Sequence, residues 1–172
     1  MPTSVPKTFT QLVVIGASAG GIAALSSVLS TLPSDFAAPV VIAQHLDPHR
    51  SSQLGKILAA RVHLPVRTVT AKEALEASVV YVVPPDMNVE IIDHAVQVRR
   101  HDGRGPKPSV DRLLATASRV YAQDLIAVIL TGSGTDGAEG AQAVNALGGT
   151  VIVQNPETAA FPSMPNAVAP SA

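Results

Sequence analysis

Three side chains with complementary acid–base chemistry each follow an apolar run in this sequence. Ser18 lies in Gly16-Ala17-Ser18-Ala19-Gly20-Gly21, directly after "LVVI". His45 follows "PVVIAQ", and Asp136 closes Thr131-Gly132-Ser133-Gly134-Thr135-Asp136 after "LIAVIL". A serine hydroxyl is a weak nucleophile until a base removes its proton, and a histidine needs a carboxylate to orient and support its imidazolium. The trio is the set a serine hydrolase needs. Each member also has an ordinary reading: Ser18 as a turn residue or helix cap, His45 as a satisfied strand-end histidine, Asp136 as the N-cap of its own helix.

A glycine-rich turn between a strand and a helix also suits phosphate binding, through backbone N–H groups. The specific residues for that are missing. A dinucleotide fold wants G-x-G-x-x-G and an acid after the second strand, whereas this chain has Ser18 and then Gln44-His45. A P-loop wants Gly-Lys-Ser/Thr, whereas Gly20-Gly21 precede Ile22. Gly16, Ser18 and Gly20 instead have the Gly-x-Ser-x-Gly spacing that lifts a nucleophile out of a tight turn. The glycines expected to shape the two turns are Gly16, Gly20, Gly21, Gly132 and Gly134. The order Ser, His, Asp differs from the Ser, acid, His order of α/β-hydrolases, so a different fold is expected.

The elements that position these residues follow from hydrophobic patterning. Apolar runs at 11–16, 39–45, 64–69, 79–85, 125–132 and 150–155 read as strands. Helical spacing appears at 21–32, 51–62, 110–122 and 136–149, with Ser51 or Ser52 and Ser109 as caps. A further helix start is expected at Pro165. Alternating segments around Asp93-His94 read as a β-hairpin. Strands alternating with helices predict an α/β fold with a doubly wound, mostly parallel sheet and the hairpin as an antiparallel edge. In such sheets sites lie beyond the carboxyl ends of the strands, which is where all three side chains fall.

Composition narrows the function classes. The chain has 172 residues, enough for one domain, with 47% hydrophobic and 15% charged residues. A net charge of −1 and 3% aromatics offer neither a basic face nor a stacking platform for nucleic acid. The absence of cysteine removes disulfides, thiolate catalysis and Cys-ligated zinc, and fits a cytoplasmic setting. No apolar run is long enough for a membrane span. His49, His63, His94 and His101 form no H-x-x-x-H pair on a predicted helix, so no metal is expected. His49 is read as a rim residue beside Asp47, His63 as a helix-end residue, His94 as a hairpin tip and His101 as a loop residue.

The ordered motifs "IGASAGG", "QHL", "VYVVPP", "PSVDRLL", "LTGSGTDGAEGA" and "AAFPSMP" run from about residue 12 to 166. Together they resemble the catalytic domain of the chemotaxis protein-glutamate methylesterase, CheB. The resemblance implies a Rossmann-like sheet without a cofactor. It also implies hydrolysis of glutamate methyl esters on the cytoplasmic helices of chemoreceptors, and often deamidation of their glutamines. It implies Ser18 as nucleophile, His45 as base and Asp136 as orienting acid, with backbone N–H groups at Ala19 and near Ser133 holding the oxyanion. Pro84-Pro85 and Met164-Pro165 are expected at the rim. Ala19 and Ser133 stand where the family more often has Thr and Met. The expected organisation is a lead-in over 1–10 and one catalytic domain over 11–172, shortened at the C-terminus and lacking the family's phosphoreceiver domain. "QHLDP" also resembles versions fused to a methyltransferase and a sensor kinase. Two alternatives compete with this reading: a non-catalytic domain that binds receptors or partners, and an esterase or amidase with another substrate.

Overall fold

The computed structural model describes residues 8–100 and 103–172; the first seven residues of the expected lead-in, and His101, lie outside it. In chain order the elements are β1 (Leu12–Ala17), α1 (Gly21–Ser30), β2 (Val40–Gln44), α2 (Leu54–Ala59), β3 (Val66–Thr68), β4 (Glu73–Ala74), β5 (Val80–Val82), β6 (Met87–Ile92) and β7 (Ala95–Arg100). They continue with α3 (Val110–Tyr121), β8 (Leu125–Ile129), α4 (Ala138–Ala146), β9 (Thr150–Val153) and α5 (Ser163–Val168).

The apolar runs become one six-stranded sheet in the order β3-β5-β2-β1-β8-β9. Every pairing in it is parallel. All six residues of β1 are buried, because it lies inside the sheet with both faces covered. Side chains alternate between two apolar layers, as a pleated strand requires. Leu12, Val14, Ala127 and Ile129 join Leu113, Leu114, Ala141 and Val144 of α3 and α4. Val13, Ile15, Val40 and Ile42 join Leu25 and Leu29 of α1 and Leu54 and Leu58 of α2. A ten-residue helix such as α1, which has no side-chain cap, is marginal alone. Burial of Leu25 and Leu29, about 1.5–3 kcal/mol each, holds it.

The hairpin forms as expected, with Asp93 and His94 both at positive φ (50° and 60°). Two such residues give the turn that matches strand twist. It does not lengthen the main sheet: β7 pairs with β4 and β6 in a separate three-stranded antiparallel sheet. Its apolar face decides this, since Val89, Ile91 and Val96 enter the core layer of α3. Ile91 N–H also donates to Thr116 Oγ1 of α3 at 3.1 Å.

A charge clamp fixes the same docking. Glu90 of β6 accepts from Arg99 Nε at 2.9 Å, and from Arg112 Nε of α3 at 2.8 Å and Nη2 at 2.6 Å. Burial pushes the Glu90 carboxyl up, but the hydrogen bonds and charges of the two arginines hold it below its ordinary value. Such an acid stabilises the fold above its unfolded pKa and loses that contribution as pH falls through the folded value. Glu90→Gln is therefore expected to cost about 1–2 kcal/mol at neutral pH, discounted because both guanidiniums are partly exposed. The difference from wild type should shrink as pH drops through the glutamate range. Urea midpoints across that range check it, and a pH-independent difference would remove the clamp from the account.

Several helix starts differ from the sequence-based expectation. α2 is shorter than 51–62, and Ser52 Oγ accepts from Leu54 N–H at 3.1 Å to set its start. His63 consequently lies beyond α2 and not at its last turn. α5 begins at Ser163, two residues before Pro165. α4 starts at Ala138 with Gly137 as N-cap, so Asp136 is not the cap of its own helix.

Candidate active site

β1 hands the chain to α1 and β2 on one side, whereas β8 hands it to α4 and β9 on the other. The two strands are neighbours, so their carboxyl ends open the crevice where α/β sheets place their sites. Ser18 follows β1, His45 follows β2, and Thr131–Asp136 follow β8.

The Ser18 turn is held through its backbone. Ser18 N–H donates to Thr131 O at 3.0 Å, and Gly21 N–H donates to Ser18 O at 2.8 Å. Gly20 must take φ 75°, and a Cβ there would lie 3.0 Å from Ala160 Cβ. A Cβ on Gly132 would overlap Met164 Sδ and lie 2.7 Å from Ser18 Cβ, so this glycine lets the β8 turn pass beneath the serine. The Thr131 hydroxyl reaches Ala19 O at 3.0 Å and accepts from Phe161 N–H at 2.8 Å.

Gln44 joins the first two turns. Its Nε2 donates to Ser18 O at 2.7 Å and to His45 O at 3.0 Å, and the residue is 4% exposed. A Cβ on Gly21 would overlap Gln44 Oε1, so only glycine lets that amide fit. Gln44→Met keeps the volume and removes the donor, leaving His45 O without this partner and Ser18 O with Gly21 N–H alone. We expect a loss of about 1–3 kcal/mol, read from urea denaturation. An unchanged midpoint would mean that the bridge carries nothing.

His45 N–H donates to Ala17 O at 3.0 Å, which aligns the end of β2 with β1. The ring Nε2 lies 2.7 Å from Asp136 Oδ2, with side-chain exposures of 15% and 3%. Asp136 also accepts from Val110 N–H at 2.8 Å and Asp111 N–H at 2.9 Å, the first two residues of α3. Burial pushes its carboxyl up, but His45 and these two N–H groups prevail and hold it below the ordinary aspartate range. An ionised carboxylate only accepts, so Nε2 carries the proton between them, which in the neutral ring leaves the lone pair on Nδ1.

Ser18 and His45 line one cavity of about 400 Å³, between the first turn of α1 and the His45–Asp47 loop. No hydrogen bond joins Ser18 Oγ to His45 among the described residues. Nucleophile–base contacts are often loose before substrate binds. A larger apolar cavity of about 600 Å³ lies behind, against Val28, Val128 and Ile152. It contains neither Ser18 nor His45, so the smaller cavity is the one that the candidate nucleophile and base share.

Ala19 lines that cavity, while Ser133 is exposed and outside it. Neither backbone N–H has an intramolecular acceptor among the described residues. Gly132 N–H is already committed to Phe161 O at 2.9 Å. Gly16 abuts Val110, and Gly134 takes φ 87° in open space. Pro84 and Pro85 lie half-buried after β5, outside the cavity lining. Met164 is not a rim residue: it is fully buried, with Pro165 buried beside it. Because α5 starts at Ser163, Met164 turns into the core and supports Gly132 from beneath, its N–H donating to Gly132 O at 3.0 Å. His49 N–H donates to the Asp47 carboxylate, and the His94 ring meets Tyr121 edge-on. Among the described residues no cluster of three acids or histidines is placed to hold a metal, and no helix is long and apolar enough to cross a membrane.

Three residues of this site were not singled out as functional by sequence reasoning: Gln44, Thr131 and Asp111. For the first two a signal existed, since each is a polar residue at the buried end of an apolar strand.

A family model described as CheB methylesterase matches residues 13–172. A Leptospira interrogans protein is 38% identical over 160 residues, which cover 90% of this chain and 81% of that protein. The Thermotoga maritima protein-glutamate methylesterase/protein-glutamine glutaminase is 34% identical over 168 residues, covering 95% of this chain and 49% of its own length. The crystal structure of the Thermotoga maritima CheB methylesterase catalytic domain superposes with a TM-score of 0.86 at 34% identity, over 95% of this chain and 89% of that one.

Proposed function

The chain belongs to the CheB methylesterase family, and from that premise we propose that it removes methyl esters from glutamate side chains of chemoreceptors. The same chemistry extends to deamidation of receptor glutamines. The observation that carries the reading is the 2.7 Å pair of His45 and Asp136, set on the cavity that Ser18 enters.

Ser18 Oγ attacks the ester carbonyl while His45 Nδ1 takes its proton. The imidazolium is supported through Nε2–H by Asp136, whose ionised state is secured by α3. The tetrahedral oxyanion is held by Ala19 N–H and by the turn near Ser133, next to the positive end of α1. Methanol leaves with the proton from His45. Water then attacks the acyl-serine, His45 takes its proton, and the free glutamate is released. For a glutamine, ammonia leaves in place of methanol.

The unit that does this is a single domain from residue 11 onward, acting in the cytoplasm on receptor helices, alone or linked to methyltransferase or sensor kinase domains. The test is methanol release from methyl-labelled chemoreceptor membranes, run beside a panel of short-chain esters. Release from the membranes is the expected result. Turnover of short esters without receptor release would assign the site to another substrate, and receptor binding with no turnover of either would make it a docking domain.

A further inference from the structure

We propose that Asp111 is a positioning residue for the hydrolytic site, holding the Asp136 carboxylate against His45 by capping α4 from the neighbouring helix. The inference rests on the triad reading above and assigns a role to a residue outside that triad.

The geometry is a crossed pair of caps. Asp136 precedes α4, yet its carboxylate accepts from Val110 and Asp111 N–H, at the start of α3. Asp111 belongs to α3, yet its Oδ1 accepts from Gly137 N–H at 2.9 Å and Gly140 N–H at 2.7 Å, at the start of α4. Each carboxylate satisfies the orphan N–H groups of the helix it does not belong to.

Two glycines make the crossing possible. A Cβ on Gly140 would lie 2.7 Å from Leu114 Cβ and 3.0 Å from Asp111 Cα, so the glycine admits α3 to α4. Gly137 takes φ 106° and directly follows Asp136. A glycine in that conformation is free to leave it unless something holds its peptide. Asp111 supplies that hold, one bond away from the residue whose carboxylate must meet His45. Burial and the adjacent charge of Asp136 push the Asp111 carboxyl above its ordinary range. The Gly140 and Gly137 N–H groups that it accepts from oppose that rise.

Asp111→Ala should lower kcat on methylated receptor about 10- to 100-fold with KM nearly unchanged, the scale of a misplaced catalytic group. Asp111→Asn keeps an oxygen at the same reach and should recover most of that loss. Asp111→Ser reaches less far and should fall between them. An independent readout needs no substrate: the downfield ring N–H signal of His45 should weaken or shift in the alanine variant and return with asparagine. If alanine does not fold, the serine and asparagine variants carry the same comparison. The proposal is overturned if the alanine variant keeps both kcat and the His45 signal. It is equally overturned if asparagine loses as much as alanine, since charge and not capping would then matter. Should wild type release no methanol, the functional reading fails, while the His45 signal still decides the role of Asp111.

Discussion

Ser18→Ala is expected to reduce methanol release from methylated chemoreceptor by on the order of 10³-fold or more, with no change of fold. The size follows from the chemistry, because alanine offers no atom to form the acyl intermediate. What remains is the contribution of the oxyanion donors to attack by water. The preserved fold follows from the geometry. The turn is held by Ser18 N–H on Thr131 O and by Gly21 N–H and Gln44 Nε2 on Ser18 O, all backbone groups of the serine. No hydrogen bond of Ser18 Oγ supports the turn among the described residues. A surface-level change in stability, within about 0.5 kcal/mol, is therefore expected. Circular dichroism and a urea midpoint establish folding, and the methanol assay reads the loss. Near-normal turnover by a folded Ser18→Ala protein would remove the nucleophile from the mechanism. A global loss of structure would show that Oγ holds the turn after all.

The inner strands of the main sheet were legible in the sequence because β1, β2 and β5 are buried throughout and β8 largely so, and they appear as continuous valine- and isoleucine-rich runs; the edge strands β3 and β9 are partly exposed. The site's location was legible for the same reason: whatever follows such runs lies at one edge of the sheet. Other features were not, because they are relations between segments. Periodicity reports one element at a time, so an aspartate before a helix reads as that helix's own cap. Asp136 serves the other helix, and only the crossing of α3 and α4 reveals it. The hairpin was evident from Asp93-His94 and its flanks. Its separation from the main sheet was not, because that depends on its apolar face finding α3 and on Arg112 finding Glu90. Met164 was misplaced for a related reason: "PSMP" marks a helix start, but the inward turn of the methionine depends on where the helix begins.

Asp136→Asn tests the electrostatic half of the site, and it is expected to damage both catalysis and stability. The wild-type carboxylate receives three N–H groups, from His45, Val110 and Asp111. An asparagine side chain has one acceptor oxygen and one NH₂, so at least one of those donors must face another donor. If the NH₂ faces His45, the ring must accept at Nε2 and carry its proton on Nδ1. That tautomer has no lone pair for the proton of Ser18, and kcat should fall by about 10⁴-fold, the size seen when a triad aspartate becomes asparagine elsewhere. If the oxygen faces His45, it keeps Val110 N–H as well, but the NH₂ meets Asp111 N–H, and the helix start loses about 1–3 kcal/mol. Either arrangement costs something that the carboxylate avoids. The sign with pH is fixed, because this acid lies below its ordinary value in the fold. Its stabilisation is present above the unfolded pKa and disappears as pH falls through the folded one. The stability difference between wild type and Asp136→Asn should therefore close in acid. Asp111 works against this limb, since its carboxyl is raised by burial and by the charge that the substitution removes. Urea midpoints from neutral pH downward, with kcat at neutral pH, read both halves. A variant that retained turnover would show that His45 needs no ionised partner. A stability difference indifferent to pH would show that the three N–H groups do not depend on the charge of Asp136.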